Sequence, residues 1–111
     1  MKESRKFVVQ FCELKLKNLR DTYLNTLKRP LPKDLASPEY IDKAAREQKI
    51  QDSIFFRQRI KSILPEIFHA LERIKRGTFG ICQVTGEQIE ARRLKAVPWT
   101  QISIKALKES A

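Results

Sequence analysis

The sequence predicts a mainly α protein, a long antiparallel helical hairpin with a small ribbon-like base and a short helix at its C-terminal end. Two long stretches carry apolar residues at the three- and four-residue spacing of one helix face. Prolines stand between these stretches, where the chain must turn. All three glycines lie after residue 76, where the helical spacing is lost. We therefore expect a coiled-coil hairpin at 1–76 with its tip at about 30–45, a base at 77–111, and one structural domain overall.

The first arm of the hairpin is predicted from Ser4 to about Arg29. About 25 residues extend roughly 37 Å at 1.5 Å per residue, which is too long for a compact globule of this size and suits a hairpin arm. Pro30 and Pro32 are expected to end the helix, because proline lacks an amide donor and clashes with the preceding turn. The face expected to be buried consists of Val8, Cys12, Leu16, Leu19, Tyr23 and Leu27, widened by Phe11 and Leu24.

The second arm is predicted to begin at Pro38, with Ser37 as its N-cap, and to end at Arg76 before Gly77. Pro65 lies inside this arm. An interior proline costs about 3 kcal/mol, so we expect it to bend the helix without dividing it. The candidate core residues of this arm are Ala44, Ala45, Ile50, Ile54, Ile60, Leu64, Ile67, Leu71 and Ile74, and the side chain of Phe68 is expected to pack against the base.

The base contains the frame of a four-ligand metal knuckle. Cys82 and Thr85 are followed by Ser103 and Ala106 in the spacing C-x2-C-x17-C-x2-C. Three of the four positions are not cysteines, so we predict that zinc is lost and that the chain has no cofactor. The apolar residues of 77–111 are expected to replace the metal by packing. A short C-terminal helix is expected to begin at Ser103.

Three runs of this segment resemble the DksA/TraR family, whose members bind bacterial RNA polymerase. These runs are GTFGIC at 77–82, GE at 86–87 and ARRLKAVP at 91–98. The resemblance covers most of the chain, because that family also places a long helical hairpin before its zinc ribbon. Besides the cysteine positions, Lys95 and Val97 depart from the family pattern, in which Glu and Arg are frequent.

The same resemblance implies a functional hairpin tip. Family members carry an acidic motif, D-x-x-D-x-A, that enters the secondary channel of the polymerase, and the run EYIDKA at 39–44 is similar to it. Glu39, Asp42 and Ala44 are therefore the candidate partner-binding residues. The residues alone also allow a structural interpretation, in which Glu39 and Asp42 form i,i+4 pairs with Lys43 and Arg46 worth a few tenths of a kcal/mol each.

Charge and composition leave two alternatives open. The net charge of +10 attracts polyanions at low salt, which favours nonspecific nucleic-acid contact or a basic nucleic-acid-binding protein. The basic residues are, however, spread along the chain without a block. The long apolar stripes would also suit a coiled-coil adaptor or a self-associating protein. No nucleophile with a nearby histidine and carboxylate and no glycine-rich phosphate loop is present in the sequence, so we do not expect an enzyme.

The sequence also bears on the compartment and the partners of the protein. No apolar run reaches the length of a membrane span, and the N-terminus is charged where a signal peptide would be apolar. Cys12 and Cys82 lie far apart, so no disulfide is expected. We therefore expect a cytoplasmic monomer, without a membrane partner, that regulates bacterial transcription by binding RNA polymerase through its hairpin tip and does not read DNA sequence.

Overall fold

The computed structural model describes residues 4–30 and 43–110. They form four helices, α1 (Arg5–Lys28), α2 (Lys43–Arg76), α3 (Ala91–Ala96) and α4 (Ile104–Ser110). The two long helices pack side by side and run antiparallel, since Thr26 near the end of α1 lies beside Arg57, whereas Glu13 lies beside Leu71. The predicted fold class, a helical hairpin with a small base and a short C-terminal helix, is confirmed.

α1 begins and ends where local sequence signals place its ends. The hydroxyl of Ser4 accepts a hydrogen bond from the N–H of Phe7 at 3.1 Å, so Ser4 is the N-cap. At the other end the N–H of Arg29 donates to the carbonyl of Thr26 at 3.3 Å, and Pro30 follows. The predicted bounds of the first arm are confirmed within one residue.

α2 is described from Lys43, so its predicted start at Pro38 lies outside the described residues. The helix is continuous through Pro65, which confirms that the proline does not divide it. It ends in a Schellman motif, with the N–H groups of Gly77 and Thr78 bonded to the carbonyls of Ile74 (3.2 Å) and Arg73 (3.0 Å). Gly77 takes a φ of 76°, so the predicted stop signal is confirmed.

One apolar core joins the hairpin to the base. It is built from the inner faces of α1 and α2 and from residues of the base, and its buried members are Val8, Cys12, Leu16, Ile67, Ala70, Phe79, Cys82, Ile89, Leu94 and Ala106. Towards the tip, Ile60 and Leu64 of α2 are also buried. The shared core supports the proposal that the hairpin at 1–76 and the base at 77–111 form one structural domain.

Four residues predicted to be buried are exposed. Phe11 of α1 is one of them, at 42% exposure, because it lies to the side of the stripe formed by Val8, Cys12 and Leu16. Ala44 and Ala45 lie in the first turns of α2, whose buried stripe begins only at Ile60. The side chain of Phe68 is exposed in a groove between the two arms. Successive helical residues point about 100° apart, so when Ile67 faces the core Phe68 is turned away from it. The predicted packing of Phe68 against the base is therefore wrong.

Of the two short helices, α4 was predicted and α3 was not. α4 follows Ser103, whose hydroxyl accepts the N–H of Ala106 at 3.1 Å. α3 has six residues, fewer than two turns, which is too short to show a periodic pattern. None of the described helices combines the length and the apolar character needed to cross a membrane.

Candidate functional site

The backbone around Cys82 forms the tight turn that the knuckle spacing predicts. The N–H of Cys82 donates to the carbonyl of Glu87 at 2.8 Å, and the N–H of Gly86 donates to the carbonyl of Cys82 at 2.9 Å. Next to it, Ile81 and Gln88 form an antiparallel bridge. The turn holds the Cys82 side chain inward, against the core.

The second half of the frame lies against this turn. The N–H of Ser103 donates to the Cys82 sulfur at 3.3 Å. The N–H of Gln83 donates to the carbonyl of Gln101 at 2.8 Å, and this backbone hydrogen bond holds the two segments side by side. Ala106 belongs to the same buried cluster as Cys82. The fold therefore brings together residues that are more than twenty positions apart in sequence.

The surroundings of the Cys82 sulfur favour its thiolate form. The pKa of Cys82 is lowered to about 6, chiefly by a side-chain hydrogen bond from Thr85 and also by the N–H groups of Thr85, Ser103 and Val84, while burial acts in the opposite direction. Cys12 is a contrasting case, because burial raises its pKa and its thiol donates to the carbonyl of Leu94 at 3.5 Å. Cys12 is thus a core thiol, and both cysteines are free, as predicted.

Of the predicted tip residues, Ala44 lies in the described part of the chain, at the other end of α2 from the base. Glu39 and Asp42 are outside the described residues. Ala44 is exposed in the first turn of α2, and Arg76 at the other end of the helix is 32 residues further on, or about 48 Å at 1.5 Å per residue. Ala44 and the Cys82 frame are therefore two separate candidate sites at opposite ends of α2.

Side chains tie both arms to the base, and these contacts could not be predicted because the partners are distant along the chain. Arg5 and Lys15 belong to α1 and Glu66 belongs to α2. The bonds join Arg5 Nη2 to the carbonyl of Gly80 (2.9 Å), Lys15 Nζ to the carbonyl of Lys95 (2.6 Å), and Gln101 Nε2 to Glu66 Oε2 (2.8 Å). These bonds set the orientation of the base on the hairpin.

The combination of a helical hairpin with a knuckle turn is also found in known proteins. Residues 77–107 match the family model of the prokaryotic dksA/traR C4-type zinc finger. The structure of transcription factor DksA2 from Pseudomonas aeruginosa matches 95% of this chain and 81% of its own, with a TM-score of 0.66 and 30% identity. The chain belongs to the DksA/TraR family. The relatives named below are transcription factors, so the family is not an enzyme class.

Curated DksA/TraR relatives include two proteins named RNA polymerase-binding transcription factor DksA. The protein from Caulobacter vibrioides is 34% identical over 65 residues, which cover 59% of this chain and 46% of the relative. The protein from Escherichia coli is 28% identical over 86 residues, which cover 78% of this chain and 57% of the relative. The chain therefore spans about half the length of these relatives.

The prediction that the chain has no zinc is contradicted by the family match. The segment at 77–107 fits a C4-type zinc finger, so the base belongs to a zinc-binding family. The side chains at this frame do not fit four thiolates, since Cys82 supplies a sulfur, Thr85 and Ser103 supply hydroxyls, and Ala106 supplies no donor. In residues 4–30 and 43–110 no three His, Cys, Asp or Glu side chains are grouped as ligands.

Proposed function

We propose that the chain is a bacterial transcription regulator that binds RNA polymerase directly and inserts its hairpin tip into the secondary channel, without reading DNA sequence. The observation that carries the proposal is the hairpin, which holds the start of α2 far from a base of the DksA/TraR type. Two relatives are named as RNA polymerase-binding factors, and the fold is similar to DksA2 over 95% of the chain. The regulator is proposed to act as a monomer.

The hairpin is long and narrow, as insertion into a channel requires. The 34 residues of α2 extend about 51 Å, and each helix with its side chains is about 10 Å wide. The buried faces of α1 and α2 hold the arms together, through Leu16 on one side and Ile60 and Ile67 on the other. A rod of this kind reaches its target without first having to order its arms, so less binding free energy is lost to conformational entropy.

In this proposal the tip regulates the polymerase, whereas the arms and the base provide most of the binding. The carboxylates of Glu39 and Asp42 would bring negative charge close to the catalytic region of the polymerase, where bound metal ions dominate the local field. Ala44, which follows them in the sequence and is exposed in the first turn of α2, leaves space for a close approach. Most of the contact area would come from the much larger surface of the arms and the base.

The test compares two pairs of carboxylates on the same part of the chain. The tip variant is Glu39→Gln with Asp42→Asn. The matched control is Glu47→Gln with Asp52→Asn, because Glu47 and Asp52 are exposed on α2 and the control changes the net charge by the same amount. Binding to core RNA polymerase and regulation in an in vitro transcription assay are measured for both variants.

We expect the tip variant to bind core polymerase within about threefold of wild type and to lose most of its regulatory effect. The control variant should keep both properties. Wild-type regulation by the tip variant would remove Glu39 and Asp42 from the site. Absence of polymerase binding, together with DNA binding that falls steeply with salt, would instead favour the basic nucleic-acid-binding alternative.

A further inference from the structure

A depression between α3 and α4 is lined mainly by positively charged side chains. It has a volume of about 340 Å³, and its lining residues are Glu90, Arg92, Ile104, Lys105 and Lys108. Lys105 and Lys108 are three positions apart on α4, so they lie on one face of that helix. Arg92 reaches the same depression from α3. We call Arg92, Lys105 and Lys108, all of which are exposed, the cationic patch.

The adjacent residues Arg92 and Arg93 have different surroundings. Arg93 Nε donates to the carbonyl of Ile102 at 3.2 Å, and its Nη2 donates to Thr100 Oγ1 at 3.3 Å. Among the described residues, none forms a hydrogen bond or an ion pair with the side chain of Arg92. Arg93 therefore holds the loop before α4, whereas the charge of Arg92 is available to a ligand.

The single acid that lines the depression does not pair with the cationic patch. Glu90 Oε2 accepts the N–H of Ile104 at 3.2 Å. The pKa of Glu90 is lowered chiefly by its own N–H and by that of Ile104, and less by the charges of Arg93 and Arg92. The ion pairs found in the described part of the chain involve other side chains. Three positive charges therefore face one carboxylate, which is engaged at the start of α4.

The next acid along α4 is turned away from the depression. Glu109 follows Lys108 directly, and successive helical residues point about 100° apart. Glu109 is not among the residues that line the depression. The charge that the depression offers to a ligand is therefore positive.

The lining also indicates which kind of polyanion fits. Proteins that hold single-stranded nucleic acid combine cations with aromatic side chains on which the bases stack. None of the described residues that line this depression has an aromatic ring. The depression therefore suits the phosphate groups on the outside of a duplex better than it suits unpaired bases.

We propose that the cationic patch binds the phosphate backbone of duplex DNA without reading its sequence. Duplex DNA carries about one negative charge per 1.7 Å of its axis, so its phosphates are dense enough to meet all three cations at once. Contacts of this kind position a protein on DNA and carry no sequence information. The net charge of +10 adds a long-range attraction.

The fold creates this patch from residues that are separated in the sequence. The basic residues form no block along the chain, but α3 and α4 bring Arg92 beside Lys105 and Lys108. The patch belongs to the base and is separate from the hairpin tip. The DNA contact is additional to the polymerase binding proposed above and does not depend on it.

The test measures binding of the full chain to a fluorescent duplex of about 20 base pairs by anisotropy, in the absence of polymerase, from roughly 50 to 200 mM salt. The patch variant is Arg92→Gln with Lys105→Gln and Lys108→Gln. The matched control is Lys49→Gln with Arg59→Gln and Lys61→Gln, which removes the same charge from three exposed side chains of α2.

We expect the patch variant to bind the duplex at least about tenfold more weakly than wild type at roughly 100 mM salt. The slope of log affinity against log salt should fall by about three, or about one for each cation removed. The control should stay within about threefold of wild type, with a slope that falls by less than one. Wild type should bind the duplex more tightly than a single strand of the same length.

Several results would overturn the proposal. Equal losses in the patch variant and the control would show that binding follows net charge and not the patch. Tighter binding of the single strand would show that unpaired bases are the ligand. Amide chemical-shift changes in the wild-type protein that lie away from 90–92 and 104–108 would place the contact elsewhere, and this measurement does not depend on the folding of any variant.

Discussion

Gly80 shows how the orientation of the base depends on single residues. It takes a φ of 85°, and its carbonyl accepts the hydrogen bond from Arg5 that ties the base to the start of α1. A Cβ at this position would lie 2.8 Å from Arg5 Nη2 and 3.4 Å from Leu94 Cδ1. The absence of a side chain therefore serves both the backbone conformation and the close approach of the arginine.

We predict that Gly80→Ala destabilises the protein more than Gly77→Ala does. Both residues have positive φ, so each alanine costs about 1–2 kcal/mol in backbone strain. Gly77 has nothing within 4 Å of an added Cβ, whereas the alanine at 80 must also displace the Arg5 side chain. Urea unfolding measures the difference.

A double-mutant cycle gives the cause of that difference. In an Arg5→Ala background the extra cost of Gly80→Ala over Gly77→Ala should shrink, because the displaced contact no longer exists. An extra cost of the same size with and without Arg5 would show that the contact with Leu94, or the backbone alone, is responsible.

The surroundings of Cys82 were only partly predictable from the spacing of residues in the sequence. The positions of the frame follow from counting, and the fold brings Ser103 to the Cys82 sulfur as the frame requires. The hydrogen bonds that lower the pKa of Cys82 could not be counted, since they come from N–H groups oriented by the folded turn. The spacing of the residues also led to the wrong prediction that zinc is lost. Spacing gives only the positions of possible ligands, whereas the match over 77–107 showed zinc binding in the family.

At the scale of elements, the helix ends were predictable and the helix neighbours were not. Ser4, Pro30 and Gly77 act on the backbone within a few residues, so the ends that they cap or stop could be read from the sequence. The outward orientation of Phe68, by contrast, depends on which face of α2 meets the base. That choice involves residues more than thirty positions away, such as Gln101 bonded to Glu66.

The two faces of α1 predict different costs of truncation. Leu16 is fully buried against α2 and the base, and Leu14, two residues earlier, is 63% exposed. We predict that Leu16→Ala lowers the free energy of unfolding by about 3–5 kcal/mol, through lost transfer free energy and a cavity. Leu14→Ala should change it by no more than about 0.5 kcal/mol.

Chemical denaturation with circular dichroism measures both leucine variants. A large cost for Leu14→Ala would mean that the outer face of α1 is packed within the monomer. A small cost for Leu16→Ala would contradict the single core shared by hairpin and base.

At the scale of the whole molecule, the protein is elongated, and the base makes one end bulkier than the other. Its principal extents are 56 × 30 × 27 Å, and the contacts between the arms and the base collect at one end. The hydrogen bonds from Arg5 and Lys15 fix the direction in which the hairpin leaves the base. If the base binds the rim of a channel, the length of the arms then decides how deep the tip reaches.

The arms can be shortened while the base is left unchanged. Deleting 20–26 from α1 and 59–65 from α2 removes seven residues from each arm at positions that lie about opposite one another. Seven residues are close to two full turns, so the faces stay in register within about 20°, and the tip is withdrawn by about 10 Å.

We expect the shortened protein to remain helical and to bind core RNA polymerase within a few-fold of wild type, since the base and the lower arms are unchanged. Its regulatory effect in vitro should be lost, as in the variant Glu39→Gln with Asp42→Asn. If the shortened protein binds and still regulates like wild type, the reach of the tip does not matter, and insertion into the secondary channel is not how this chain acts.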